Sequence, residues 1–251
     1  MSNLVRAEPS VEAWAFDRAT LVEVGRMRAA EYAHAEPFPY VVVDNLLGDA
    51  RAAAIARAVP DPAHPGWKRR DYAEQAGRLS QLQRTGFADV GPALRWLLAE
   101  LSGMAFLDFL AALTGRRDLI GDPHFTGAGP ILTLPGGHLA VHADFNRDSA
   151  RHLARAVSIL YYAPRAWDER WGGELELWDR QRRACVTRIA PVRDRLVVIG
   201  YGEDHWHGHP EPLGCPDGEA RVAIAAHYYV ARAQPGDDDA AHGAIWAAPV
   251  R

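Results

Sequence analysis

Apolar positions in the first half of the chain recur mainly at helical spacing. Residues 9–35, 47–59 and 92–113 carry apolar side chains at intervals of three and four, which predicts a helix over each stretch. Residues 37–43 are apolar and β-branched between prolines, and this composition predicts a strand. The N-terminal half is therefore expected to be mostly helical.

Capping residues and a polar segment define where the predicted helices of this half begin and end. Asn45 precedes the second predicted helix and is expected to cap it, and Gly115 follows the third helix where a C-terminal cap belongs. Residues 61–86 are polar and contain proline and glycine, so they are predicted to form an irregular surface segment.

The pattern changes after Gly121 to short apolar runs separated by glycine, proline and aspartate. Regularly spaced short strands without intervening helices indicate a sandwich or a barrel. The prediction is one domain over residues 1–251, with helical support at 1–120, a β-barrel core at 121–231 and a tail at 232–251 that is solvated around 234–239. The predicted strands are 131–134, 139–145, 156–162, 174–178, 186–189, 195–199 and 221–230.

Composition narrows the class of protein. The chain has 251 residues, of which 48% are apolar and 24% charged, as in an ordinary globular protein. Its formal net charge of −4 gives no reason to expect a nucleic-acid partner. Residues 1–28 mix acidic residues among the apolar ones and lack the unbroken run of a signal peptide or membrane span, so a cytoplasmic location without a membrane partner is expected.

The cysteine count restricts the possible metal chemistry. Cys185 and Cys215 are the two cysteines of the chain, which excludes a disulfide framework and a metal site built from several thiolates. Any metal site must therefore use histidine and carboxylate ligands.

Histidine and aspartate meet that requirement in one predicted strand. His142 and Asp144 lie two residues apart, so their side chains project from the same face and can converge on one ion. Such a pair alone is more often two polar residues on a surface strand. A second cluster, with histidines at 205, 207 and 209, follows the apolar run at 196–199. Two histidines and one carboxylate leave positions free on a metal ion, but spacing does not choose among the three candidates.

Arg221 begins the last apolar strand, 14 residues after His207. Burying a guanidinium there without a partner would cost several kcal/mol, so an anion is expected beside it. A dicarboxylate cosubstrate fits because arginine binds a carboxylate through two hydrogen bonds; an internal salt bridge is the alternative. A period of two places His227 on the same side of the strand, either facing the cavity or as a hydrogen-bonded core residue.

Several segments between residues 37 and 230 together resemble the prolyl 4-hydroxylase-like branch of the 2-oxoglutarate and iron(II)-dependent oxygenases. The most specific ones are Gly136-Gly137 with His142-Ala143-Asp144-Phe145, the strand from Trp171 to Trp178, the cluster from His205 to Pro212, and Arg221 leading into Tyr228-Tyr229.

This resemblance implies a fold and a set of ligands. The fold is a double-stranded β-helix, a jelly-roll barrel of cupin-like type with flanking helices. His142, Asp144 and His207 would bind iron(II), with His207 chosen because a small residue, Gly208, follows it. Arg221 would bind 2-oxoglutarate.

Further roles follow from the same resemblance. Tyr162 would bind the same carboxylate as Arg221, although Ala163-Pro164 departs from the family's pattern after that tyrosine. His209 and His227 are possible residues behind the metal ligands, and His205 is expected in the loop. Dioxygen is the cosubstrate, and ascorbate serves as reductant in vitro.

The implied reaction is hydroxylation of an unactivated C–H bond, or desaturation, with decarboxylation of 2-oxoglutarate to succinate. The presence of Asp144 argues against halogenation, because related halogenases leave that position open for a halide. The expected substrate is a small molecule or a carrier-tethered intermediate. The alternative substrate is a prolyl residue of a protein. The alternative classes of protein are a cupin-type zinc or manganese enzyme, a non-catalytic binding barrel and a barrel with a structural metal site. The sequence does not predict the oligomeric state.

One group of charged residues allows two interpretations. Arg147, Arg151 and Arg155 lie within a stretch of nine residues that follows the metal motif. They are expected to form a solvated charged loop, with an anionic substrate as the less favoured reading.

Overall fold

A computed structural model describes residues 15–80, 90–125, 128–231 and 241–247. Within these ranges it contains four α-helices and thirteen strands. The helices are α1 (Arg18–His34), α2 (Asp49–Ala58), α3 (Pro92–Leu101) and α4 (Met104–Thr114). The strands are β1 (Tyr40–Asp44), β2 (Lys68–Tyr72), β3 (Gln75–Ser80), β4 (Ile120–Gly121), β5 (Gly129–Ala143), β6 (Arg147–Asp148), β7 (Leu153–Tyr162), β8 (Leu175–Trp178), β9 (Cys185–Ile189), β10 (Arg195–Gly200), β11 (His207–His209), β12 (Arg221–Ala231) and β13 (Ile245–Trp246).

The strands form one antiparallel sheet that curls into a jelly-roll, a double-stranded β-helix, as predicted. Its main path runs β1-β10-β7-β12-β5-β11-β8-β9. β12 lies between β7 and β5, and nine of its eleven residues are buried. The strand that carries Arg221 is thus in the middle of the sheet.

The first helix begins later than its apolar pattern suggested. Asp17 caps α1, because its carboxylate accepts a hydrogen bond from the Thr20 backbone amide at 2.7 Å. Residues 9–14 of the predicted helix lie outside the described residues.

The predicted cap of the second helix is wrong. Asn45 has a φ of 57° and lies before the helix, and Gly48 is the residue that precedes α2. The carboxylate of Asp194 instead accepts hydrogen bonds from the Leu47 amide at 2.9 Å and the Gly48 amide at 2.8 Å. This acceptor is 146 residues from Gly48, so local sequence did not indicate it.

The predicted helix over residues 92–113 is two helices. α3 and α4 meet at Ser102 and Gly103, with 47° between them. Gly115 ends α4 in the left-handed region, with φ of 75°, which confirms the predicted cap. No single helix of the described chain is long and apolar enough to cross a membrane; these two meet that description only together, and their apolar faces are buried in the protein.

The prediction of an irregular segment at 61–86 is confirmed over residues 61–67, which form turns, and is wrong over residues 68–80. β2 and β3 form a hairpin, and β3 pairs with β5, whereas residues 81–86 are outside the described ranges. These strands are polar and lack apolar alternation. Their backbones pair with each other, and β3 also pairs with β5, so this pairing forms the hairpin.

Four other short strands were also missed. β11 has three residues, and β4, β6 and β13 have two each, which is too short for hydrophobic periodicity to show. β5 is one strand of 15 residues where two were predicted. Residues 234–239, expected to be solvated, lie outside the described residues, but β13 returns to pair with β5.

The two largest apolar clusters among the described residues stabilise this arrangement. The larger joins the four helices to the outer face of the sheet and includes Phe106, Phe109 and Tyr228. The smaller lies inside the barrel, where Tyr162 and Leu175 pack with Val197. The helices thus cover one face, and the cavity described next opens within the other.

Candidate metal and cosubstrate site

Three side chains converge at the end of β5. His142 on β5 and His207 on β11 are direct partners in the antiparallel pairing, and Asp144 follows β5 immediately. One carboxylate oxygen of Asp144 lies 3.7 Å from Nε2 of His142 and 4.0 Å from Nε2 of His207. The three donor atoms all lie within 4.8 Å of one another, which is the spacing of a metal site.

Backbone carbonyls orient both imidazoles. Nδ1 of His142 lies 3.0 Å from the Ala140 carbonyl, and Nδ1 of His207 lies 2.9 Å from the His205 carbonyl. A carbonyl oxygen only accepts, so each Nδ1 carries the proton and each Nε2 presents a lone pair to the shared centre. Burial, aided by the neighbouring His142, lowers the pKa of His207 to about 4. His207 is therefore neutral and able to bind a metal at neutral pH.

The two carboxylate oxygens of Asp144 have different partners. Oδ1 faces the histidines, whereas Oδ2 lies 2.5 Å from Nη1 of Arg155 and accepts a hydrogen bond from the Ser158 hydroxyl at 3.2 Å. Burial acts to raise the pKa of Asp144, but Arg155 and the histidines outweigh it and hold the pKa well below its usual range. Asp144 is thus ionised, with one oxygen available.

Arg155 does not belong to a solvated loop, so that expectation is wrong for this residue. It lies on β7 with a fully buried side chain, and its guanidinium carbon is 3.5 Å from the centre of the Phe145 ring. Arg151 does lie in the loop and forms an ion pair with Asp148. Arg147 lies on β6. Three arginines that are close together in sequence therefore have different environments.

Arg221 is buried at the start of β12 beside neutral partners. Its Nε donates to the Gly173 carbonyl at 2.8 Å, and its Nη2 donates to the Tyr162 hydroxyl at 2.9 Å. Among the described residues no carboxylate pairs with it, which removes the internal salt bridge as an explanation. A buried cation of this kind requires an anionic ligand.

Tyr162 lies beside Arg221 with a protonated hydroxyl. Burial raises the pKa of Tyr162, although the adjacent Arg221 opposes that effect. The hydroxyl accepts from Arg221 and keeps its own proton to donate. Arginine and tyrosine together offer a carboxylate several donors.

Two glycines of the recognised segments allow close packing around this site. A Cβ on Gly208 would lie 2.8 Å from the carbonyl oxygens of Leu139 and Ala140, so a side chain there would push β11 away from β5. Gly173 has φ of 80°, and a Cβ on it would lie 2.6 Å from Leu213. The small residue after His207 therefore brings β11 close to β5.

The three other candidate histidines take different positions. His227 lines the cavity and its Nδ1 lies 3.2 Å from the Ser158 hydroxyl. His209 also lines the cavity, with Nε2 at 3.5 Å from the Thr133 hydroxyl. His205 points elsewhere, since its Nδ1 donates to the Gly200 carbonyl at 2.6 Å and its ring stacks on Phe38.

These residues surround a cavity of about 360 Å³. Arg221, Ala223, Ala225 and His227 all line it, as the period of two on β12 predicts. Sequence reasoning did not identify several other residues at this site. Among them are Arg70 and Tyr72 of the β2–β3 hairpin, Trp246 of β13, whose ring centre is 5.1 Å from that of His142, and Ser158 of β7. Of these, Ser158 alone carried a signal, as a polar residue in an apolar strand.

Comparison with known proteins identifies the barrel. Residues 131–229 match the family described as the 2OG-Fe(II) oxygenase superfamily. A search of curated proteins gave no match.

Solved structures of prolyl hydroxylases share the fold. A prolyl hydroxylase from Trichoplax adhaerens, in complex with a peptide fragment, is 17% identical with a TM-score of 0.58, covering 84% of this chain and 91% of that one. A prolyl-4-hydroxylase from Pseudomonas putida is 18% identical with a TM-score of 0.54, covering 84% and 99%. A prolyl 4-hydroxylase from Phytophthora capsici is 19% identical with a TM-score of 0.59, covering 90% and 70%.

The residues present fit the groups that this family binds. Two imidazoles and a carboxylate form the donor set that iron(II) takes in such oxygenases, and the buried Arg221 without an acidic partner among the described residues fits a dicarboxylate. The barrel over residues 131–229 is that of a 2-oxoglutarate-dependent dioxygenase, with iron(II) and 2-oxoglutarate as cofactors, and it resembles the prolyl 4-hydroxylase-like branch of the superfamily that these residues match.

Proposed function

We propose that this enzyme hydroxylates an unactivated C–H bond of a small molecule or a carrier-tethered intermediate, with decarboxylation of 2-oxoglutarate to succinate. The observation that carries the proposal is the cavity of about 360 Å³ beside the three donors, a volume typical of small-molecule sites. Tyr72 and Trp246 border it on the side of the hairpin and β13.

In this proposal His142, Asp144 and His207 hold the metal. When bound, iron(II) with 2-oxoglutarate and dioxygen supplies the oxidising chemistry. The protein presents two Nε2 lone pairs and one carboxylate oxygen, and such a set leaves positions on the ion for the cosubstrates. The backbone carbonyls of Ala140 and His205 keep the imidazoles in the required tautomer.

Arg221 and Tyr162 would hold a carboxylate of 2-oxoglutarate. The guanidinium is already oriented by the Gly173 carbonyl and the Tyr162 hydroxyl, so little side-chain freedom is lost on binding. The neutral hydroxyl of Tyr162 adds a donor. Apolar side chains such as Ile159 and Leu175 line the same cavity and exclude water from it.

The direct test is succinate formation from 2-oxoglutarate by anaerobically purified protein supplied with iron(II), ascorbate and air. Asp144→Ala and Arg221→Ala serve as the inactive controls. A panel of small molecules is then screened for stimulated succinate formation and for a product heavier by one oxygen. Products from the panel that disappear in both variants support the proposal.

A protein substrate is the competing function, and the peptide fragment bound to the Trichoplax adhaerens prolyl hydroxylase favours its inclusion. The same assay therefore includes a proline-containing peptide. Hydroxylation of the peptide, with no small molecule turned over, would replace our proposal with a peptidyl-prolyl hydroxylase.

A further inference from the structure

Arg70 is a second arginine of the cavity without an acidic partner. It lies on β2, is half-buried, and lines the same cavity as the metal donors. Among the described residues, its guanidinium has neither a hydrogen bond nor an ion pair. Its charge is therefore available to a ligand.

Strand register independently places Arg70 on the face of Arg221. Arg70 is paired with Arg78 on β3, Arg78 with Thr133 on β5, and Thr133 with Arg221 on β12. Directly paired residues of antiparallel strands project to the same face of a sheet. Three strand spacings separate the backbones of Arg70 and Arg221 by roughly 14 Å. Arg70 therefore lies at the hairpin end of this row of paired residues, and Arg221 lies at the other end.

The nearby acidic groups already have partners. Asp71, the next residue, forms an ion pair with Arg69 and accepts a hydrogen bond from the Gly77 amide at 2.7 Å. Asp144 is the one carboxylate among the described residues that line the cavity, and Arg155 holds it. Arg221 is assigned to 2-oxoglutarate. Arg70 is left as the cation for a different anion.

The surroundings of Arg70 indicate what the rest of that ligand is like. Tyr72 lies on the same side of β2, and Gln75 hydrogen-bonds its hydroxyl. Leu139, which pairs with Gln75 of the hairpin, and Trp246, which pairs with His142, also line the cavity. These side chains suit an apolar body that ends in a charged group.

We propose that the substrate carries a carboxylate or phosphate group that binds Arg70, with its apolar part directed toward the metal donors. Arginine binds either anion through two parallel hydrogen bonds, so both remain in one chemical class. This inference rests on the proposed function, because it names the substrate class of that same cavity.

The test uses simple probes on the full chain loaded with zinc(II), a redox-inert stand-in for iron(II), and with N-oxalylglycine, an unreactive analogue of 2-oxoglutarate that occupies Arg221. The probes are butyrate, propyl phosphate and the neutral butyramide, and their binding is measured by ligand-detected NMR. Arg70→Gln is compared with the matched variant Arg69→Gln, which alters the neighbouring arginine that pairs with Asp71.

We expect at least one anion to bind more tightly than butyramide, with an affinity reduced tenfold or more in Arg70→Gln and unchanged in Arg69→Gln. The affinity for N-oxalylglycine should be the same in both variants as in the protein without substitutions. If butyrate binds more tightly than propyl phosphate, the substrate is a carboxylic acid. If propyl phosphate binds more tightly, the substrate carries a phosphate group.

Four results would overturn the inference. They are equal binding of butyramide and the anions, retained anion binding in Arg70→Gln, absence of anion binding while N-oxalylglycine binds, and loss of N-oxalylglycine affinity in Arg70→Gln. The last result would assign Arg70 to the cosubstrate instead. The proposed function is contradicted by a different result, namely that the oxygenation assay yields product from the peptide alone.

Discussion

Arg155 lies 2.5 Å from one carboxylate oxygen of Asp144, and the other oxygen faces His142 and His207. The buried guanidinium, stacked on Phe145, thereby fixes which oxygen is available to a metal. A carboxylate free to rotate could offer both oxygens and occupy a position that the cosubstrates need.

Replacing Arg155 should weaken metal binding. We expect Arg155→Gln to reduce Mn(II) affinity of the metal-free protein by 10- to 100-fold, the usual effect of losing a group that orients a ligand. Titration followed by electron paramagnetic resonance measures it. Arg151→Gln, which disrupts the ion pair with Asp148 in the adjacent loop, is the control and should bind Mn(II) normally. Unchanged affinity in Arg155→Gln would show that Asp144 needs no such support.

Arg221 and Tyr162 should affect 2-oxoglutarate to different degrees. Arg221→Gln removes the charge and should raise the KM for 2-oxoglutarate by 100-fold or more, corresponding to about 3 kcal/mol. Tyr162→Phe removes one neutral donor and should raise it about fivefold, or about 1 kcal/mol. Initial rates of succinate formation over a range of 2-oxoglutarate concentrations give both values. Equal effects of the two substitutions would contradict the assigned roles.

A side chain at Gly208 should separate β11 from β5. Gly208→Ala places a Cβ 2.8 Å from two carbonyl oxygens, so we expect a loss of roughly 1–3 kcal/mol in the free energy of unfolding, together with weaker Mn(II) binding through His207. Urea unfolding and metal titration test this. Gly243→Ala is the matched control, because a Cβ there meets no atom within 4 Å. Gly208→Ala behaving like the control would mean that β11 has room to shift.

Asp194 should be important for stability without touching the site. It accepts hydrogen bonds from the amides of Leu47 and Gly48 and from the Tyr161 hydroxyl at 3.1 Å. Asp194→Ala leaves buried donors without an acceptor, and we expect a loss of about 3 kcal/mol in the free energy of unfolding. Thermal and urea unfolding measure it. Asp204→Ala, which removes an exposed partner of Arg180, should change stability by less than about 1 kcal/mol.

The metal-free protein should lose stability in mild acid. The pKa of His207 is about 4 in the folded protein and about 6.5 when unfolded, so the unfolded state binds the extra proton between these values. The free energy of unfolding should therefore fall as the pH falls from 6.5 toward 4. Urea unfolding at pH 7, 6 and 5 tests this, and His207→Asn should flatten the dependence over that range. Identical slopes in both proteins would exclude His207 as the cause.

Hydrophobic spacing was sufficient for the main elements of the fold. The strands that became β7, β10 and β12 were predicted because apolar runs bounded by turn residues are a local property. Gly115 ended its helix as predicted, because only its own backbone conformation is involved. The β2–β3 hairpin was missed because polar strands form through pairing with β5 rather than through their own composition.

The same distinction between local pattern and tertiary contacts applies to the site. The sequence determined which side chains are candidates: His142 and Asp144 by their spacing, His207 and Arg221 by their resemblance to known segments. Tertiary structure decided their environments. It paired His207 opposite His142, brought Arg155 from β7 to Asp144, and placed Arg70 and Trp246 along the cavity. These contacts join residues distant in the chain, and their geometry depends on strand register and burial, which a one-dimensional pattern does not contain.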